Sequence, residues 1–224
     1  YTGSYGNNGW LLEFKQTGTG SGATNTVGAD TSGNTNHWDS SGIAAEDVTI
    51  DSPTQNFSVM DPNRYSAIGT FSEGNLKVTT STNNRGVYGT IAVPSSGKWY
   101  YEVQATSVSG TYWLLAGFST ENDGNSSGAY LFQNDGTKYN NGSSSSYGSS
   151  LSVNDVLGVA FNADDGEIEF YINGVSQGTA FTSIPAGTYL PLLGEAGGAA
   201  NSTMVVNFGQ MRFKYPMPSG YAAL

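Results

Sequence analysis

The sequence predicts an all-β protein, an antiparallel β-sandwich with long loops and almost no helix. Helical periodicity is nearly absent along its 224 residues. Short runs rich in Val, Ile, Tyr, Phe and Trp recur between clusters of Gly, Asn, Ser and Asp, the spacing of strands and turns. Apolar residues within those runs alternate with polar ones, the period of a strand with one buried face.

In order, the predicted strands are Trp10–Phe14, Asn75–Thr80, Val87–Val93, Trp99–Thr106, Tyr112–Phe118, Ala129–Gln133, Val156–Asn162, Glu167–Ile172, Tyr189–Leu193 and Thr203–Phe208. In the fourth, Trp99, Tyr101, Val103 and Ala105 share one face, and Tyr100, Glu102 and Gln104 share a face expected to be wet. The interior is expected to hold Trp99, Tyr101, Leu115, Val159, Phe161, Ile168, Phe170, Val206 and Phe208. Residues 1–224 are expected to form a single domain, with a loop-rich leader over 1–74 packing on a core over 75–224. Within the leader, Thr17–Gly42 reads as a surface excursion pinned at Trp38. Ser143–Ser150 reads as a flexible loop tip. The start at Tyr1 without Met reads as a piece of a longer polypeptide.

Composition narrows the function. Eight Lys and Arg against 18 Asp and Glu give a net charge of −10 and a pI near 4.2. Such a surface repels phosphate, which argues against nucleic acid and anionic membranes as partners. With no cysteine, disulfides, zinc thiolates and thiol catalysis are excluded. No apolar run is long enough for a membrane-spanning helix.

The stretch "GEIEFYINGVSQGTAF" (Gly166–Phe181) places Glu167 and Glu169 two residues apart, and two such carboxylates could be a catalytic pair. Asp164-Asp165-Gly166 and Asn173-Gly174 read instead as hairpin turns, the second of type I′. Between them Ile168, Phe170 and Ile172 share the apolar face, which leaves both glutamates outward without the burial that raises a catalytic pKa. Gly124-Asn-Ser-Ser-Gly128 matches a nucleophile-elbow pattern but lacks its strand-to-helix setting, and His37 is the sole candidate base. Asp30, Ser32 and Asn34 imitate half a calcium loop, without the closing Glu, and read as Asx turns. Gly18-Thr-Gly20-Ser-Gly22 lacks the setting of a dinucleotide loop. The N-x-S/T triplets at Asn56, Asn125, Asn141 and Asn201 occur at chance frequency for this composition. No catalytic, cofactor or metal residue is assigned. Aromatic side chains near loops suit ligand recognition, and the candidate contacts are Tyr112, Trp113, Asp135, Tyr139 and Tyr147.

The segments "SGKWYYEVQ" (Ser96–Gln104), "LLAGFS" (Leu114–Ser119), "DVLGVAFNADDGEIEFYINGVSQGTAF" (Asp155–Phe181), "YLPLLG" (Tyr189–Gly194) and "VNFGQMRFKYPMPSGYAAL" (Val206–Leu224) resemble the SPRY family. The resemblance implies a bent, concanavalin-like jelly-roll sandwich that binds partners through edge loops and is not an enzyme. The leader segments "NGWLLEF", "GADTSGNTNHW", "DSPTQNF" and "FSEGNLKVTT" resemble those of bacteriophage tail-fibre and other virion proteins. That implies a host-attachment module binding a cell-surface glycan or protein, in an extracellular particle and folded first in the host cytoplasm. The alternatives are a structural virion subunit, as part of a homo-oligomer docked through the stripe Met211, Phe213, Tyr215 and Met217, and, as a minor reading, a glycan-cleaving enzyme.

Overall fold

The computed structural model describes residues 3–44, 47–49, 56–64, 69–80, 86–120, 128–196 and 201–224. Contacts group the chain into two compact units, Tyr1–Ile50 and Asp51–Leu224.

The first unit is held by polar turns. The Asp30 carboxylate accepts from the backbone of Leu11, Ser32 and Asn36 and from the Ser32 hydroxyl. Against desolvation, which works to raise its pKa, these donors hold it well below the usual carboxylate range. The amides of Asn34 and Asn36 both donate to Gly9 O at 2.9 Å, and the Trp10 and Trp38 rings meet edge to face at 5.1 Å. These are the Asx-type turns the sequence implies. The strand expected at Trp10–Phe14 does not form: Leu12 makes a single bridge to Asp30, and Phe14 at φ 54° turns the chain out of the extended region.

The second unit carries, among the described residues, fourteen strands: β1 (Gly69–Ser72), β2 (Lys77–Thr80), β3 (Gly86–Tyr88), β4 (Lys98–Ser107), β5 (Tyr112–Thr120), β6 (Ala129–Gln133), β7 (Thr137–Asn140), β8 (Ser143–Ser146), β9 (Val156–Asn162), β10 (Glu167–Ile172), β11 (Val175–Phe181), β12 (Tyr189–Ala196), β13 (Thr203–Asn207) and β14 (Ala222–Ala223). One sheet runs β1-β2-β13-β4-β9-β10-β11, with β14 parallel to β4; the other runs β3-β12-β5-β6-β7-β8. Every pairing except β14–β4 is antiparallel. The all-β sandwich is therefore the observed fold.

Turn chemistry sets the hairpins. Asn173 and Gly174 both take positive φ, 50° and 77°, as a type I′ turn requires, and join β10 to β11. Asn141 and Gly142 do the same between β7 and β8. The interior lies between the sheets and contains Tyr101, Val159, Phe161, Ile168, Phe170, Val206 and Phe208. Trp99 packs half-buried against it, while Leu115 packs against a second, smaller cluster built on Tyr88, Leu131, Leu190 and Leu192.

Three local expectations are corrected. Ser143–Ser146 is an exposed edge strand, not a loose tip. The face of β4 expected to be wet is covered: Tyr100 is 1% and Glu102 3% exposed. The cover is the C-terminal segment, whose Lys214 and Tyr215 backbone amides donate to Glu102 at 2.8 and 3.2 Å. Consequently the stripe Met211, Phe213, Tyr215 and Met217 is half-buried within the chain; Phe213 meets Tyr100 edge to face at 5.1 Å. It is not a free edge for a neighbouring subunit.

Candidate functional site

The acidic hairpin follows the alternation. Ile168 and Phe170 are fully buried, and Glu167 and Glu169 lie half-buried on the opposite face. Glu169 is not bathed in water alone: it accepts from the Tyr171 hydroxyl at 2.8 Å and from the Ser176 hydroxyl. Among the described residues no three His, Asp or Glu side chains gather as a metal site. His37 Nδ1 accepts from Asp30 N at 3.0 Å, a turn contact. Residues 124–127 of the Gly-x-Ser-x-Gly motif lie outside the described residues.

The structure separates the five expected contact residues. Tyr112 opens β5, half-buried, beside the exposed loop Ser109–Thr111. The neighbouring β6–β7 turn carries Asp135 and is tied to β5 through Asn134, which donates to Leu114 O at 3.1 Å and to Thr111 O at 3.0 Å. Asp135 is exposed, and its Oδ1 caps Thr137 N and its hydroxyl. These two residues share one end of the sandwich. Trp113, 7% exposed, belongs to the interior, so its ring offers no face to a ligand. Tyr139 packs against the second cluster. Tyr147 is an internal anchor: its ring contacts Phe132 and Phe170, its hydroxyl donates to Gly178 O and accepts from Phe170 N, and burial pushes its pKa up to about 12.

Sequence reasoning missed Glu195 at that same end. Ala196 pairs with Tyr112, and Glu195 is 1% exposed with no hydrogen-bond partner for either carboxylate oxygen among the described residues. The Thr80 hydroxyl is committed to Ser202, accepting from its N at 3.0 Å and donating to its O at 3.3 Å. Burial therefore raises the Glu195 pKa. Period-2 counting from buried Leu193 would have found it. Since the folded pKa lies above the ordinary 4.5, the stability tied to this group is full below pH 4.5 and is lost as pH rises through the folded value. Glu195→Gln is expected to match the wild type in melts near pH 4 and to melt higher at pH 7–8. Equal melting temperatures across that range would show that the charge is solvated.

The model for the SPRY domain matches residues 98–211, just over half of the chain. The chain belongs to the SPRY domain family. Its matched part runs from β4 to just past β13. The SPRY domain of human HERC1, a crystal structure, superposes with a TM-score of 0.55 at 18% identity, covering 68% of this chain and 99% of that one, a likeness of fold. The E3 ubiquitin-protein ligase RKP of Arabidopsis thaliana is 33% identical over 130 residues, 54% of this chain and 10% of that protein. The chain thus spans about a tenth of that relative's length. SPRY domains serve generally in protein–protein interaction. In the β10–β11 hairpin Ile168 and Phe170 fill the core, and Asn173 and Gly174 make the turn.

Proposed function

We propose that this SPRY domain is a non-catalytic recognition module that binds a protein partner through the loops around Tyr112 and Asp135. The observation that carries the reading is the placement of an exposed polar loop, a half-exposed aromatic ring and a carboxylate at one end of a rigid sandwich, where loops vary without disturbing the core. The acidic surface suits partners with basic or neutral contact segments. The narrower form of the proposal is host attachment on a virion, to a glycan or protein receptor, with weak binding per copy multiplied by valency. Its support is the resemblance of the leader segments; the relatives above are plant and human proteins.

Arrays of peptides and of glycans probed with the purified chain test both forms. Peptide ligands are expected, with signal falling at least tenfold in Tyr112→Ala and in Asp135→Asn, which keeps the Oδ1 acceptor for Thr137, while a cooperative melt is retained. Binding to glycans alone would replace a protein partner with a carbohydrate. Deleting Ser143–Ser149 is a poor test, because it removes the Tyr147 anchor.

A further inference from the structure

The opposite end of the sandwich carries a pocket of about 260 Å³. β12 links the two ends, from Tyr189 in the pocket to Ala196 paired with Tyr112; seven steps at about 3.3 Å separate them by about 23 Å. The floor is apolar: Val93, Phe161, Ile184 and Tyr189, each at most 7% exposed. The rim is acidic: Asp164 and Asp165, both exposed.

Local bonds hold this shape. The Tyr189 hydroxyl donates to Pro185 O at 2.9 Å, and Ile184 N donates to Gly166 O at 3.0 Å. Gly166, at φ +65°, lies so close to this segment that a Cβ there would meet Ile184 O at 2.7 Å. Asp164 Oδ1 accepts from Gly97 N at 2.8 Å, and Asp165 Oδ2 accepts from the Asn162 amide at 2.6 Å. Each carboxylate keeps one oxygen without a donor among the described residues. No Lys or Arg lines the pocket, so its negative charge is not balanced from within.

We infer that this pocket docks one basic side chain, lysine or arginine, of a partner protein. Sites for whole small molecules run at about 300–1,000 Å³, and this cavity lies at the low edge of that range, small enough for one long side chain to fill. An aliphatic stem on the apolar floor with its charged head at the two carboxylates is how long cationic side chains divide between apolar and polar surroundings. An anionic ligand would be repelled, and an aliphatic one would gain nothing from the two carboxylates. The inference stands apart from the Tyr112 end, so either site can fail alone.

The test is amide chemical-shift mapping of the ¹⁵N-labelled full chain. Blocked Gly-Lys-Gly, Gly-Arg-Gly and Gly-norleucine-Gly peptides are titrated to roughly 10 mM, with calcium chloride in a separate arm. The Lys or Arg peptide is expected to shift the amides of Gly97, Asp164, Gly166 and Gly187, and the norleucine peptide to leave them in place. The double variant Asp164→Asn/Asp165→Asn, which keeps an acceptor for Gly97 N, is expected to raise the apparent Kd at least tenfold. Ala186→Trp, at an exposed position on the wall, is expected to abolish the shifts with melting unchanged. The proposal is overturned if neither basic peptide moves these amides, or if norleucine moves them equally. It is also overturned if calcium alone moves them, or if Ala186→Trp leaves the shifts intact, which would mark diffuse surface charge.

Discussion

Ile168→Asp is expected to abolish folding. Ile168 is fully buried on β10, opposite Phe161 of β9 and Phe181 of β11. Replacing it removes about 1.5–3 kcal/mol of apolar burial. It also places a carboxylate inside the apolar core cluster, and the effective desolvation penalty of a buried ion is several kcal/mol. Together these approach the whole stability of an ordinary domain, about 5–15 kcal/mol. The variant should be insoluble or should lack a cooperative melt, whereas Ile168→Val should fold with a loss of about 0.5–1.5 kcal/mol. A soluble Ile168→Asp protein with the wild-type melting temperature would mean that β10 is reversed in the sandwich. Its glutamates would then face inward and the acidic pair would return as a candidate for catalysis.

Alternation made the β9–β10 hairpin legible because the information is local. Two turns with glycine at positive φ and an apolar residue at every second position fix which side faces in. β9 and β10 were therefore read to the residue, and so was β6. β11 escaped notice because Ser176, Gln177, Gly178 and Thr179 resemble a loop. It pairs with β10 through register shifts at Ile168/Glu169 and Glu169/Tyr171, where bulges absorb the irregular pattern. β7 and β8 are likewise polar edge strands, defined by pairing more than by composition. At the candidate sites the limit was different. Tyr112 and Asp135 could be chosen as aromatic or polar residues near loops, but composition could not tell exposed Asp135 from buried Trp113. Nor does any local pattern say that Val93, Phe161 and Ile184 line one pocket, since 90 residues of chain lie between the outer two.

The covered face of β4 shows the same limit, and it supplies the second large effect: Glu102→Ala is expected to destabilise the domain by about 2–4 kcal/mol. Glu102 accepts from Lys214 N, from Tyr215 N and from the Tyr100 hydroxyl, at 2.8, 3.2 and 3.3 Å. Truncation leaves these donors, two in the C-terminal segment and one beneath it, without an acceptor, at about 1–3 kcal/mol for each that stays buried. Release of the desolvated charge offsets part of that loss. Two glycines show how closely this layer is fitted. A Cβ on Gly158 of β9 would meet Tyr100 Cε2 at 2.8 Å, and one on Gly174 would meet the Tyr215 ring at 2.9 Å. Once Glu102 is gone, the segment holding Tyr215 and the short β14 should loosen before the sheets do. Hydrogen exchange should therefore rise at Lys214, Tyr215 and Ala223 by more than it rises at Val159 or Phe170. Burial raises the Glu102 pKa, so its ionised form is the strained one, and the gap between wild type and Glu102→Ala should widen as pH falls below the folded pKa, where the carboxyl is neutral. Glu102→Gln, which keeps one acceptor oxygen, should lose less than Glu102→Ala. If alanine, glutamine and wild type melt together, the C-terminal segment lies on β4 through Phe213 and Tyr100 alone and the buried carboxylate contributes nothing to holding it.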